Sequence, residues 1–414
     1  MYKEKRMVIN TSNILRNISV IAILCAPIFV NTLANIGVSG VVRTLMMMVA
    51  CYMTLFFYLL KHPRKIPKEG IIFCIIIILI YYLTIFIHPE YRASISGEMW
   101  KNIVSPYGGI VCLIAVRLFD DKDELVRILL VIAWVAFIYY GIEAISAVRQ
   151  GYWIVVENGI SKQVGYSMSF GYHILFPTLF FGYIAMERQK KLYLSLSIIG
   201  LLSIVMLGSR MASVCAVAFW GLYLLLISGS KYGNIKRKII YFGMLLLIGI
   251  VLFLSYEQLL SMLGNIFEKI GFSSRTISRI LEGTLSDDAA RDVLFLNSQN
   301  LIKKGGMFGN GFLADRYYLG SYCHNIFLEL FIEFGYVGGG IFLLLLLFVI
   351  VFMLIRCKNM SWRGLFLVFF CCSFLRLLVS YSLWVDNDFW IMLGVFFVFK
   401  EHSKKQNLLT AIKE

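Results

Sequence analysis

The chain has 414 residues, of which 59% are hydrophobic and 15% are charged, and its mean hydropathy is +0.79. A soluble domain has about 45–50% apolar and about 25% charged residues, so this composition excludes a water-soluble enzyme and favours a membrane protein. The formal net charge of +15 does not indicate nucleic-acid binding, because the basic residues collect in short loops between apolar segments. Nine scattered cysteines predict neither a metal site nor a disulfide framework.

Unbroken apolar runs along the chain predict membrane-spanning helices. A helix needs about 20 apolar residues to cross a bilayer, and runs such as 71–87 lack the alternation that a β-barrel strand requires. We predict an all-α, polytopic helical integral membrane protein with about 12 transmembrane helices. The predicted spans are 14–34, 40–60, 70–88, 102–118, 125–146, 167–186, 192–208, 211–228, 238–256, 336–356, 364–384 and 388–400.

The distribution of charge orients these spans. With the N-terminus inside, the short inner loops and both tails hold most of the 39 Lys and Arg residues, as the positive-inside rule requires, so both termini are predicted to be cytoplasmic. The predicted organisation is a membrane region of about nine spans at 1–256, a large extracytoplasmic loop at 257–323, and about three spans with a cytoplasmic tail at 324–414. The loop contains two amphipathic stretches, 257–271 and 286–306, and a hydrophilic segment of this length is usually functional.

Two arginines mark the predicted outer side before the end of this loop. Ser209 and Arg210 stand between two apolar runs, where an arginine either reaches the lipid headgroups or binds an anion with its planar fork of donors. Arg291 lies among acidic neighbours on the second loop helix, where a solvated charge is the alternative to an anion ligand.

A histidine stands where the loop meets the next apolar segment. Asn325, or His324 itself, is predicted near the helix N-terminus, where free backbone N–H groups and the helix dipole favour an anion. Histidine can also transfer protons near neutral pH. Glu329 and Glu333 follow four residues apart, so they share a helix face, and they would be costly if they faced lipid.

Arg376 lies inside a predicted span, where an arginine is by default a functional hypothesis. A structural ion pair with Asp386 or Asp388 is the alternative. Together, the outer side gathers three arginines, one histidine and two glutamates. Such a set suits a pyrophosphate-bearing lipid better than a metal ion, because cationic side chains predominate where the negatively charged pyrophosphate would bind.

The segment 305–340 reads GGMFGNGFLADRYYLGSYCHNIFLELFIEFGYVGGG. It resembles the signature of the O-antigen ligase and Wzy-type O-antigen polymerase superfamily, in which an "fG.G" turn precedes an "HN.fLe.l.e.G..G" segment that enters a span. Ser209-Arg210 looks like the family's earlier Ser-Arg element, and Arg291 resembles the arginine that opens the helix before the turn. The matching residues of the signature are Gly309, Gly311, His324, Asn325, Leu328, Glu329, Glu333, Gly335 and Gly338.

The resemblance implies a metal-independent glycosyltransferase without a cofactor, with its active site on the outer face of the bacterial inner membrane. It would polymerise repeat units of O-antigen, capsule or exopolysaccharide, taking the glycan from undecaprenyl pyrophosphate and transferring it to a sugar hydroxyl. Partners would be this lipid-linked oligosaccharide and the bilayer, with a flippase and a chain-length regulator as candidate proteins. Implied catalytic residues are Arg210 and Arg291, which would hold the pyrophosphate, and His324, which would act as base or bind the diphosphate. Implied substrate-binding residues are Ser209, Asn325, Glu329 and Arg376.

Two alternatives remain open at this stage. A ligase of the same family would use a lipid or wall acceptor in place of a second repeat unit. A flippase for lipid-linked oligosaccharides, from a different class, should carry ionisable residues along a path through its spans and commonly inverted repeats. The predicted spans are mostly free of charged residues and no repeat is found, so transport is the less favoured alternative.

Overall fold

The structure is a computed structural model that describes residues 11–105, 108–157, 160–164, 167–207, 210–226 and 288–411, with five isolated residues between 243 and 265. It is mostly helical, at 84%. In the described part of the chain, six helices are long and apolar enough to cross a membrane, or seven if one bent pair forms a single span. The fold and the composition together therefore indicate a mostly helical membrane protein, as the sequence predicts.

The helices are named here in chain order. They are α1 (Thr11–Leu24), α2 (Ala26–Asn35), α3 (Gly40–Met48), α4 (Thr54–Lys61), α5 (Lys68–Ile87), α6 (Arg92–Glu98), α7 (Gly109–Arg117), α8 (Lys122–Gln150), α9 (Met168–Arg188), α10 (Lys191–Leu207), α11 (Arg210–Leu226), α12 (Asp288–Gly305), α13 (Ala314–Leu319), α14 (Ile326–Val351), α15 (Met360–Phe369), α16 (Leu375–Leu377) and α17 (Asn387–Ala411). Short π-helical segments at Val49–Met53 and Phe370–Phe374 join α3 to α4 and α15 to α16, and two others, Met99–Ile103 and Phe352–Arg356, extend α6 and α14. Two 3₁₀ turns lie at Pro63–Lys65 and Pro89–Tyr91.

The candidate spans agree in part with the prediction. They are Gly40–Lys61, Lys68–Ile87, Lys122–Gln150, Ser169–Arg188, Ile326–Arg356 and Met360–Leu377. The span predicted at 336–356 begins ten residues earlier than expected, at Ile326, and the span predicted at 364–384 ends at Leu377, before a turn. The predicted spans at 192–208 and 211–228 correspond to the shorter apolar helices α10 and α11.

The remaining predicted spans are not confirmed. The short helix α7 covers only part of 102–118, the helix at 388–400 belongs to α17 and is not among the six, and 238–256 falls almost wholly outside the described residues. The first predicted span, 14–34, is a pair of helices bent by 68°. Pro27 lies in the first turn of α2 and lacks the N–H that a continuous helix would need, which accounts for the bend.

Within the described residues, a β-hairpin interrupts the helical fold where the sequence predicts only a loop. Strands β1 (Trp153–Glu157) and β2 (Ile160–Val164) pair antiparallel between α8 and α9. Trp153 is 1% exposed, and its ring centroid lies 4.9 Å from that of Phe170 in α9. The hairpin is therefore fixed to the start of α9.

Helix α14 is broken at Gly335, where φ is +64° and ψ is −170°. The glycine turn between α12 and α13 enters this break, and it restores backbone hydrogen bonds that the interrupted helix cannot make by itself. Four such bonds join the turn to α14. The backbone N–H groups of Asn310 and Gly311 donate to the carbonyls of Ile332 (2.8 Å) and Glu333 (3.1 Å), and those of Tyr336 and Val337 donate to the carbonyls of Gly306 (3.1 Å) and Met307 (3.1 Å). The glycine turn and the break at Gly335, which both belong to the 305–340 signature, are thus held together by backbone hydrogen bonds.

This interlock predicts a large difference between two glycine substitutions in α14. A Cβ atom at Gly335 would lie 2.4 Å from the backbone nitrogen of Gly309, in a conformation that side chains rarely adopt. Gly335→Ala should therefore destabilise the protein by about 3 kcal/mol or more. At Gly340, five residues along the same helix, an added Cβ would meet no atom within 4 Å, and Gly340→Ala should be neutral or stabilising by about 0.5–1 kcal/mol. Thermal unfolding in detergent measures both, and equal midpoints would contradict the interlock.

Ion pairs join helix ends on the predicted cytoplasmic side. Arg117 at the end of α7 contacts Glu69 in α5 (3.2 Å) and Glu401 in α17. Lys122 at the start of α8 lies 3.4 Å from Glu187 near the end of α9. These contacts place the start of α8 and the end of α9 together, so the opposite ends of both helices lie on the predicted outer side.

Candidate functional site

A cavity of about 370 Å³ lies among α8, α9, α16 and α17, with the α1–α2 bend and the segment before α14 completing its wall. Two of the predicted site residues, His324 and Arg376, line it. The guanidinium carbon of Arg376 lies 5.3 Å from the ring centroid of Tyr172, which places the end of α16 beside the start of α9. The cavity therefore lies at the helix ends that carry the predicted outer segments.

The polarity of the cavity wall changes along the helices that form it. On each of four helical segments, an apolar lining residue lies toward the middle of the bundle and a polar one lies toward the predicted outer end. The pairs are Ile132 and Tyr140 on α8, Phe176 and Tyr172 on α9, Phe369 and Arg376 on the segment from α15 to α16, and Ile391 and Asp388 on α17. Leu24, Pro27 and Ile28 add apolar wall from the α1–α2 bend. The cavity thus offers the charged groups of Arg376 and Asp388 together with hydrogen-bonding groups at one end and hydrocarbon at the other.

Arg376 is the buried cation of this cavity. The residue is 9% exposed, and its Nη2 lies 2.6 Å from Asp386 and 3.9 Å from Asp388. The guanidinium also lies 4.8 Å from the ring centroid of Tyr381, a cation–π distance. The ion pair that the sequence offers as the alternative to anion binding is therefore present, and the same guanidinium lines the cavity. These contacts are compatible with a structural ion pair and with anion binding.

His324 is exposed and lines the cavity, so it lies at the cavity opening. Its ring centroid lies 4.3 Å from that of Tyr322, which in turn lies 5.9 Å from Tyr381. Burial raises the pKa of Tyr381 to about 12, so its phenol keeps its proton at neutral pH and remains a hydrogen-bond donor. The opening therefore combines an imidazole with two phenols.

Two strained residues face this opening. Among the described residues, positive φ occurs at four that are not glycine, and His324 (+57°) and Tyr381 (+70°) both line the cavity. Such conformations cost about 1–3 kcal/mol each and persist only where the surrounding structure fixes them. Strain of this kind collects at functional sites, so its presence at both residues supports the assignment of the cavity as the candidate site.

Asn325 is the N-cap of α14. Its side-chain oxygen accepts hydrogen bonds from the backbone N–H groups of Phe327 (2.9 Å) and Leu328 (3.2 Å), and its amide donates to the carbonyl of Leu378 (2.6 Å). The predicted helix N-terminus is therefore present, but the Asn325 side chain satisfies two of the donors that were expected to attract an anion. Direct substrate binding by Asn325 remains a prediction.

Glu329 belongs to a buried network that the local sequence pattern does not reveal. Its partner is Arg316 in α13, whose Nη1 lies 2.7 Å from Glu329, 2.7 Å from Asp315 and 3.4 Å from Glu333. Burial alone would lower the pKa of Arg316, but the three carboxylates outweigh it and hold that pKa above its ordinary value. The oxygens of these carboxylates lie within 4.8 Å of one another, a spacing that could hold a metal ion. Because Arg316 already contacts all three, we assign its guanidinium as their counter-cation.

The remaining predicted residues lie near the limits of the described chain. Ser209 falls outside the described residues, and the described backbone has Arg210 at the start of α11 and Arg291 in the first turn of α12. Helix α11 packs against α16, which carries Arg376. The approach of the Arg210 and Arg291 side chains to the cavity therefore remains a prediction.

Sequence reasoning also missed a second cavity histidine. His173 lies in the second turn of α9, is exposed to the cavity, and stacks on Tyr140 with ring centroids 4.8 Å apart. Its apolar neighbours along the chain gave no signal of an accessible site. The cavity residues that the sequence did not single out as site residues include Tyr140, Tyr172, His173, Tyr322, Tyr381 and Asp388.

Comparisons of the chain with protein-family models, with curated proteins and with solved structures give no match. The composition and the fold define the class, a mostly helical membrane protein. Membership of the O-antigen ligase and polymerase superfamily remains a proposal that rests on the residues of the 305–340 signature.

Proposed function

We propose that the protein is a polymerase of lipid-linked oligosaccharide repeat units, acting on the outer face of the bacterial inner membrane with an undecaprenyl-pyrophosphate-linked donor. The observation that carries this proposal is the change in polarity along the cavity wall. A lipid diphosphate has an anionic head joined to a hydrocarbon chain, so it matches a cavity with Arg376 at one end and side chains such as Phe369 and Ile132 at the other.

The proposed reaction is a substitution at the anomeric carbon of the donor sugar. The acceptor hydroxyl oxygen forms a bond to that carbon, and the carbon–oxygen bond to the pyrophosphate breaks, leaving its electrons on the pyrophosphate. His324 takes the proton of the acceptor hydroxyl. In its alternative role it hydrogen-bonds the diphosphate, and the proton passes to the leaving pyrophosphate. Arg376 neutralises the charge that develops on the leaving group, and Arg210 and Arg291 would assist with planar guanidinium forks.

The proposed orientation is the one that the basic loops predict, with about twelve spans, both termini in the cytoplasm and 257–323 as the outer loop. The position of the cavity agrees with it, because the polar lining lies at the helix ends away from the basic inner ion pairs. Asn325 would act by capping α14 beside His324, and Glu329, which is 1% exposed and does not line the cavity, by fixing the turn that follows Arg376.

Two other functions fit parts of the same geometry. A ligase would share the donor site and differ in its acceptor. A flippase would need a polar route across the membrane, whereas the inner lining of this cavity, within the described residues, comes from apolar side chains such as Leu129 and Phe369. Polymerisation is therefore the function that we favour.

The test is a reconstituted reaction with purified protein, a synthetic lipid-linked repeat unit and a chelator of divalent cations. We expect a ladder of lipid-linked chains on a gel, with free undecaprenyl pyrophosphate as the second product. Transfer that occurs only when a lipid or wall acceptor is added would identify a ligase. Movement of the lipid across the bilayer without bond formation would identify a flippase and contradict the proposal.

A further inference from the structure

A second group of buried polar residues lies behind the cavity and does not line it. Arg316, Asp315 and Glu333 are 8%, 0% and 1% exposed, and Glu329 and Ser382 are equally buried at 1% and 0%. Burying a charge is costly unless it is paired and hydrogen-bonded. Arg316 and the three carboxylates meet this condition by pairing with one another.

The group hydrogen-bonds the chain neighbours of both strained residues of the cavity opening. On one side, the backbone N–H and the thiol of Cys323 both donate to Asp315, at 3.3 Å and 3.2 Å, which fixes the residue immediately before His324. On the other side, Arg316 Nη2 donates to the hydroxyl of Ser382, the residue immediately after Tyr381.

Glu329 completes the connection to the second segment. It accepts a hydrogen bond from the Ser382 hydroxyl at 2.5 Å and another from the backbone N–H of Leu383 at 2.9 Å. One turn further along α14, Glu333 accepts from the indole N–H of Trp384 at 2.9 Å. The segment 378–386, which links Arg376 to its partner Asp386, is thus held at three successive residues.

We propose that Arg316 is a positioning residue, which with Asp315, Glu329 and Glu333 forms a clamp that holds His324 and Tyr381 in left-handed conformations on the cavity wall. The effect of this clamp on catalysis rests on the proposed function, whereas its effect on the backbone of both segments does not. A planar guanidinium can contact the three carboxylates through one nitrogen and Ser382 through the other. The single ammonium nitrogen of a lysine cannot contact both the three carboxylates and Ser382.

The test compares Arg316→Lys with a matched control, Arg363→Lys. Arg363 is buried to the same extent, at 9% exposure, and it also donates to several acceptors, the carbonyls of Leu226, Ile355 and Cys357. It lies at the opposite, predicted cytoplasmic end of the bundle. Both variants should lose thermal stability, whereas only Arg316→Lys should change the cavity opening.

The first measurement is amide hydrogen exchange of the purified protein in detergent. In Arg316→Lys, peptides covering 318–325 and 378–386 should exchange about tenfold faster or more, because the N–H groups of Cys323 and Leu383 lose fixed acceptors. In Arg363→Lys, both peptides should exchange at the wild-type rate. Wild-type exchange of both segments in Arg316→Lys overturns the clamp, whatever the activity.

The second measurement is chain formation with the lipid-linked donor. A displacement of about 1 Å at a reacting group can cost about 10²-fold in rate, so Arg316→Lys should lower kcat by about this factor and leave KM for the donor nearly unchanged. An equal loss of kcat in Arg363→Lys would reduce the effect to general destabilisation and overturn the catalytic part of the proposal. A wild-type protein that forms no chains overturns the proposed function, and the exchange measurement then still decides the clamp.

Discussion

Replacement of His324 by asparagine is expected to leave the protein folded and to slow chain formation by about 10²–10⁴-fold, the usual loss when a positioned base is removed. Asparagine is chosen because it tolerates the left-handed backbone conformation that His324 adopts at φ +57°. Its amide can donate a hydrogen bond to a diphosphate but cannot accept a proton from a hydroxyl. The variant therefore separates the two roles that the sequence leaves open for this residue.

The matched control is His88→Asn. His88 precedes the Pro89–Tyr91 turn on the predicted outer side, hydrogen-bonds Glu90 at 3.1 Å, stacks on Tyr91 with centroids 4.7 Å apart, and does not line the cavity. We expect His88→Asn to form chains at the wild-type rate in the same gel assay. A normal rate in His324→Asn would exclude a base at this position, and an activity of about one tenth would favour the hydrogen-bonding role.

Several features of the fold could be predicted because their causes are local in the chain. Long apolar runs give helices that can span a membrane, and His324-Asn325 marks the start of α14, where Asn325 forms the cap. The ion pair of Arg376 with Asp386 is one that the sequence offers as the alternative to anion binding, since a buried guanidinium needs a nearby anion. The bend at Pro27 and the hairpin of β1 and β2 have local signals too, because an Asn-Gly pair between alternating residues favours a hairpin, but neither feature was predicted.

Other features depend on contacts between distant parts of the chain. The break at Gly335 exists because the turn at Gly309 enters α14, and a run of glycines alone does not reveal which one is left-handed. Arg316 stands in the sequence as a loop residue beside an aspartate, which is typical of a solvated pair. Its partners Glu329 and Ser382 lie 13 and 66 residues away in sequence, so only the folded chain brings them together.

The largest combined effect on stability and activity is expected at Arg376, which either balances the charge of Asp386 or binds the leaving diphosphate. In Arg376→Gln the carboxylate of Asp386, 0% exposed, loses its partner, and breaking a buried ion pair on one side destabilises a protein by about 3–5 kcal/mol. Removal of both charges in Arg376→Gln/Asp386→Asn should restore most of this loss, since replacing both partners is often nearly neutral. The asparagine oxygen can still accept from the N–H of Phe389, as Asp386 does at 3.2 Å.

Activity in the double variant distinguishes the two interpretations. If Arg376 only balances Asp386, the double variant should form chains at nearly the wild-type rate. If Arg376 binds the leaving diphosphate, the double variant should recover most of the wild-type stability and yet lose about 10²–10³-fold in kcat, the range observed when one donor to a developing oxyanion is removed. Because the cavity presents this guanidinium between the rings of Tyr172 and Tyr381, at the end where a lipid headgroup would lie, we expect the second result. Thermal unfolding and the chain-forming assay on the same preparations measure both quantities, and recovery of stability together with activity would assign Arg376 to structure alone.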